Sequence, residues 1–202
     1  PSTDSAHART GWGGRTADAI EPLNPPVAST TYPAMTLIGG RRAYAAGAGM
    51  PLVTNSSGVL AFNPSSTADY YVLRSQRLAE GAGYTGGVAL EEAYGEVLST
   101  ATSIAAERTR ARNDAWAALQ SATSNQIATL FSGYNTAWSL PAQLLTVLKD
   151  IVAGATAAGV GLGLRRQMFS VGLGGFDTHT GQRAAQDDLF AQLDFSLDAF
   201  VH

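Results

Sequence analysis

The chain has 202 residues, 45% of them hydrophobic and 14% charged, with a formal net charge of −3. This is enough apolar material for one sizeable domain, and the charge balance excludes the basic stripe that nucleic acid binding requires. There is no cysteine, which excludes a disulfide scaffold and a thiolate metal site, and no apolar run has the length of a membrane span.

Residues 1–70 form a loop- and strand-rich segment dense in Gly, Pro, Ser, Thr and Asn. A short helix is predicted over residues 16–23, stopped by Pro25-Pro26. Short strands are predicted at 35–38 and 51–54, with a turn at Asn55-Ser56-Ser57-Gly58. Residues 41–62 read as a hairpin or meander.

Residues 71–138 read as a helical insertion. Over 88–119, Leu90, Val97, Leu98, Ala101, Ile104, Ala105, Trp116 and Leu119 fit one helical face. Glu91, Glu92, Glu96, Glu107 and Arg108 fall on other faces, and the acidic positions Glu91, Glu92 and Glu96 read most simply as a solvated helix face.

Residues 139–202 read as a helix–strand–helix unit of an α/β core. Ser139-Leu140-Pro141 opens the first helix, with serine as the cap and proline in the first turn. Leu144, Leu145, Val147, Leu148, Ile151 and Val152 form its expected buried stripe. A strand follows at 168–173, then a helix at 182–201 whose expected apolar face is Leu189, Phe190, Leu193, Leu197, Phe200 and Val201. One such unit does not make a sheet, so partner strands are expected from residues 1–70 or from sequence outside the chain. The chain starts at Pro1 and stops at His202 with the helical pattern still running, and both ends read as cut.

The segment after the strand, Gly174-Gly175-Phe176-Asp177-Thr178-His179, carries the chemistry. Residues i and i+2 of an extended loop point to the same side. Asp177 and His179 therefore form a candidate oxygen–nitrogen pair for one divalent ion, with Gly174 and Gly175 permitting a sharp turn. The plain alternative makes Asp177 a turn or capping residue and His179 a surface residue, and on spacing alone both stand. Zinc usually takes about three or four protein ligands, and the only other histidines are His7 and His202. The pair thus reads as part of a site whose other half is missing.

Other candidates are weaker. Arg15 in Gly11-Trp12-Gly13-Gly14-Arg15 has the setting for an anion site, but a loop whose tryptophan packs on the core is preferred. Gly159-Val160-Gly161-Leu162-Gly163 has a helix before it and a strand after it, the reverse of a nucleotide-binding glycine loop, and is rejected. Arg165 and Arg166 read as anchors of the strand's start. Ser170 lies inside the strand and lacks a nucleophile elbow. Tyr84-Thr85-Gly86-Gly87 reads as a loop between helices.

The run from Leu164 to His179, followed by Gln182 and a helix ending Leu197-Asp198-Ala199-Phe200, resembles the domain-of-unknown-function 1501 family. Gly11-Trp12-Gly13-Gly14-Arg15-Thr16-Ala17-Asp18 and Leu140-Pro141-Ala142-Gln143-Leu144 resemble two further segments of that family. The resemblance implies an α/β fold of the alkaline phosphatase–sulfatase superfamily: a partial sandwich with an incomplete central sheet and a largely helical insertion. It implies that Asp177 and His179 stand at metal-ligand positions, although many relatives space these residues more widely. Zinc or manganese is the implied cofactor of a full-length protein, and the fragment alone is expected to hold metal weakly or not at all. The implied partner is a small phosphate or sulfate ester, with no nucleic acid and no membrane span. The implied location is periplasmic or secreted. Segments in which the family carries its nucleophile and further ligands do not occur here, so the chain reads as an inactive central fragment of a metal-dependent hydrolase. The alternative is a non-catalytic binding or export and assembly protein with a degenerate site.

Overall fold

The structure, a computed structural model, describes residues 11–26, 32–38, 47, 49, 51–55, 76–77, 80–83, 87–124, 126–157 and 159–201. In chain order the elements are helix α1 (Trp12–Ile20) with a 3₁₀ turn (Glu21–Leu23), strands β1 (Met35–Ile38) and β2 (Leu52–Thr54), the long helix α2 (Ala89–Ala122), and the short α3 (Gln126–Leu130). Helix α4 (Leu140–Ala155), strand β3 (Met168–Ser170) and helix α5 (Gln182–Val201) follow. The protein is α/β, with three strands in one parallel sheet of order β2-β1-β3.

The partner strands for the helix–strand–helix unit thus come from residues 1–70. The central strand, β1, is buried at all four positions, as a strand covered on both faces must be. Its register pairs Thr36 with Leu52 on one side and with Phe169 on the other. Side chains alternate between faces. Met35, Leu37 and Met168 pack on Ala17 of α1, while Thr36 and Phe169 line a small pocket with Asp150 of α4. The sheet therefore lies between α1 on one side and the α2–α4 layer on the other. A further core joins α4 to α5 through Leu140, Leu144, Phe131 and Ala199, with Leu193, Phe195 and Phe200 packed against it.

Several expectations change. The β2 strand pairs in parallel with β1. Most of residues 41–62, the turn at 55–58 beyond Asn55, and His7 and His202 lie outside the described residues. Helix α1 starts at Trp12, and its buried face is Gly13, Gly14 and Ala17. Trp12 is 61% exposed rather than buried in the core. The small face lets another segment approach: a Cβ at Gly47 would stand 2.8 Å from both Asp18 carboxylate oxygens. Asp18 Oδ1 in turn accepts the Gly49 N–H at 2.9 Å.

Helix α2 buries Gly95, Leu98, Ala105, Arg108, Ala111 and Ala115, so that of the expected face only Leu98 and Ala105 are fully buried. Leu90 is 80% exposed, and Tyr94 and Val97 are exposed with it. The seam against α4 is built from alanines because small residues allow two helices to approach closely, and the arginine among them finds an acidic partner. Helix α4 buries Gln143, Thr146 and Asp150 along with Leu144 and Val147, and leaves Ile151 exposed. Helix α5 buries Gln192, Ser196 and Ala199, leaving Phe190, Leu197 and Val201 exposed. Strand β3 ends at Ser170, three residues earlier than expected.

Candidate functional site

Asp177 and His179 lie in the loop leaving β3 at the carboxyl end of the parallel sheet, the edge where α/β proteins place their ligands. Gly175 has φ +98° and Gly181 φ +62°, so the loop turns at two positions that L side chains rarely adopt. Between them the chain is held by Phe176, whose ring meets Phe190 of α5 edge-on at 5.7 Å, and by the Thr178 N–H donating to the Phe176 carbonyl at 3.1 Å.

His179 Nε2 stands 3.9 Å from Asp177 Oδ1, with the two side chains 89% and 95% exposed. Neither is taken up in the core or in a helix cap. A carboxylate and an imidazole at this separation form an open pair that a cation can bridge. Among the described residues no group of three or more His, Cys, Asp or Glu side chains converges to enclose an ion.

The end of β3 is fixed by a buried amide. Gln143 of α4 donates from Nε2 to the Gly172 carbonyl at 2.9 Å and accepts the Gly172 N–H on Oε1 at 2.9 Å. A second amide holds the strand's start. Asn24 Oδ1 accepts from the Arg165 and Arg166 N–H groups, each at 2.9 Å, and Asn24 Nδ2 donates to the Arg166 carbonyl at 2.8 Å. The anchoring expected of Arg165 and Arg166 is thus carried by their backbones.

The remaining sequence candidates have structural settings. Gly11 caps α1 in extended backbone, with Arg15 exposed one turn on. The glycine run 159–163 is the turn between α4 and β3, where the Gly159 and Val160 carbonyls accept from Arg110 Nη1 at 2.9 and 3.2 Å. Glu91 and Glu96 are exposed, while Glu92 Oε1 accepts the Gly87 N–H at 2.9 Å. Ser139 occupies the N-cap position of α4 without a side-chain cap bond. The cap comes from α5, where Gln192 Oε1 accepts the Ser139 and Leu140 N–H groups at 3.0 and 2.9 Å.

The sequence reading missed a buried ionic cluster on the other side of the fold. Arg108, which the helical pattern put off the apolar face, is 1% exposed, and its Nη2 donates to Asp150 Oδ2 at 2.5 Å. Arg112 Nε stands 3.1 Å from Asp150 Oδ1. Tyr32 is buried beside them, and burial pushes its hydroxyl well above the usual phenol range. Burial also raises the Asp150 carboxyl, with Arg108 and then Arg112 pulling it back down. Burial lowers Arg112, and Asp150 offsets part of that. The legible signal was an aspartate in the middle of an apolar stripe on α4, and two arginines at i, i+4 between alanines on α2.

No helix among the described residues is long and apolar enough to cross a membrane. No protein-family model, curated protein or solved structure matches the chain.

Proposed function

We propose that Asp177 and His179 are two protein ligands of a divalent metal, zinc or manganese, in an exported hydrolase-like protein of alkaline phosphatase–sulfatase architecture acting on phosphate or sulfate esters. The observation that carries this reading is the solvent-facing pair itself. A carboxylate and an imidazole stand 3.9 Å apart on the same side of a loop that leaves the carboxyl end of a strand in a parallel sheet. The donor set suits zinc and manganese. When bound, such a metal polarises the ester oxygen and stabilises charge on it. The chain's own contribution is orientation: glycine turns direct the loop outward, and Phe176 against Phe190 fixes its height over α5.

Two ligands do not complete a site, and the described residues bring no third close by. The isolated 202-residue chain is therefore expected to bind zinc or manganese weakly and to hydrolyse ester slowly or not at all. Calorimetric titration with zinc tests this directly. Weak binding lost in both Asp177→Ala and His179→Ala supports the reading. Tight one-to-one binding that survives both substitutions contradicts it.

A second reading is a non-catalytic binding or export and assembly role with a degenerate site. It is favoured by apolar side chains that the described residues leave uncovered: Leu90, Tyr94 and Val97 along α2, and Phe190, Leu197 and Val201 along α5. Phosphatase and sulfatase assays with added zinc or manganese separate the two. Turnover that depends on Asp177 and His179 favours the enzyme, and metal-independent folding without turnover favours the binding role.

A further inference from the structure

We infer that Gln143 is the positioning residue of the Asp177–His179 loop: its side-chain amide extends the ladder of β3 by one backbone unit and fixes the point at which the loop departs. This rests on the proposed reading of that pair as a ligand platform, but it is carried by its own geometry.

Strand β3 pairs with β1 only through Met168, Phe169 and Ser170, so the chain leaves the sheet seven residues before Asp177. A loop of that length, free at its root, would sample many directions, and a two-ligand platform would lose the shared orientation of its donors. Gln143 prevents this. Its amide sets N–H donors beside a carbonyl acceptor, which matches the C=O and N–H of a single residue, and it meets both at Gly172 at 2.9 Å. The side chain is 4% exposed and projects from the first turns of α4, whose own start is fixed by Gln192 of α5. Its further contact is the Ser139 hydroxyl at 3.5 Å, so the partners of the amide are not titratable. The loop thus inherits its origin from the rigid α4–α5 pair rather than from the sheet. Val171 and Leu173, on either side of Gly172, pack against the α4–α5 core, which holds the same unit from the side-chain direction.

Glutamine alone among the ionisable and amide side chains of this length does both tasks at neutral pH. A glutamate carboxylate accepts from the Gly172 N–H but cannot donate to its carbonyl. A protonated glutamate does both, so Gln143→Glu restores the clamp on acidification. A residue that serves only to fill the core has no such signature.

The experiment is backbone ¹⁵N relaxation of residues 173–179 in the whole chain. Wild type is expected near the rigid range, with order parameters of about 0.85, and Gln143→Met below about 0.6, while α4 and α5 keep their values. Gln143→Glu is expected to match Gln143→Met at neutral pH and to return toward wild type, measured at the same pH, once the glutamate is protonated. Asn24→Ala, which releases the strand's start, is expected to leave 173–179 unchanged. Should Gln143→Met fail to fold, the pH dependence of Gln143→Glu decides alone. Loop order parameters equal to wild type in Gln143→Met, or insensitive to pH in Gln143→Glu, overturn the inference. Zinc titration of the same samples keeps the two ideas apart. A mobile loop in the variants with no metal binding in wild type sinks the metal reading and leaves Gln143 in its role. Binding that depends on Asp177 and His179, with no loop response to Gln143, does the reverse.

Discussion

Replacing Arg108 by methionine removes a guanidinium that is 1% exposed and is held by Asp150, itself 6% exposed. The side chain that replaces it is apolar and unbranched and fills most of the arginine stem's space, so the change is chiefly one of charge. At an effective dielectric of about 20, unit charges about 4 Å apart interact by about 4 kcal/mol. Breaking a buried pair by removing one member typically costs about 3–5 kcal/mol, because the remaining charge stays buried without compensation. Arg112 remains against Asp150 at 3.1 Å and reduces the loss, which places the expected cost near 3 kcal/mol at neutral pH. In a chain of this size that lowers the melting temperature by about 6–12 °C. The double variant Arg108→Met/Asp150→Leu is expected to recover most of the loss, since an apolar replacement of a buried pair is often neutral or stabilising.

The same cluster fixes a pH dependence. Asp150 is raised above the ordinary carboxylate range by burial, against the pull of Arg108 and Arg112. A carboxyl whose folded pKa is raised contributes stability that is present below the unfolded value of about 4 and lost as pH rises through the folded value. Removing Arg108 removes the strongest pull downward, so the penalty of Arg108→Met is largest at neutral pH and shrinks on acidification. Urea unfolding of both variants between pH 4 and pH 8 measures it. A single-variant cost below about 1 kcal/mol, or a double variant worse than the single, refutes the claim that these charges are desolvated.

Three further outcomes follow from local geometry. Gln192→Ala strips the start of α4 of its acceptor for two N–H groups and is expected to cost about 1–2 kcal/mol in urea unfolding, whereas Ser139→Ala, whose hydroxyl makes no cap bond, costs a few tenths. Gly47→Ala drives a methyl group against the Asp18 carboxylate and the Gly14 carbonyl and is expected to destabilise by about 1–3 kcal/mol, with the Gly49 amide resonance shifting as its bond to Asp18 opens. Lys149, the only lysine, lies over the Trp116 ring with Nζ 5.3 Å from its centroid. Burial first, and the charge of Arg112 second, lower its pKa, so its ¹³C-methylated amine should titrate below the ordinary lysine value of about 10.4.

The parts of the fold legible in the sequence are those where composition and periodicity coincide. The mostly apolar run at β1 and the start of α5 at Gln182 were readable because turn-forming residues flank them. The loop that presents Asp177 and His179 was readable from glycines beside two coordinating side chains. The pairing partner of β2 was not, because a short strand carries no mark of whether its neighbour runs parallel. The helix faces were misjudged where burial is decided by fit rather than by hydropathy. The seam of α2 takes alanines and an arginine, while Leu90 and Val97 remain exposed. Likewise, Gln143, Asp150 and Gln192 are buried because each meets a specific partner, and a one-dimensional pattern reads such residues as surface. For Asp177 and His179, spacing alone left a ligand pair and a surface turn equally open. The side chains project into solvent on the same side, the arrangement on which the ligand reading depends.

The most direct measurement of that central claim is paramagnetic line broadening by manganese(II) in a ¹³C,¹⁵N-labelled chain. The earliest and strongest losses are expected on the His179 imidazole and the Asp177 carboxyl region, and either alanine substitution is expected to abolish both together. Broadening centred on the exposed carboxylates of α5, with His179 unaffected, would contradict it.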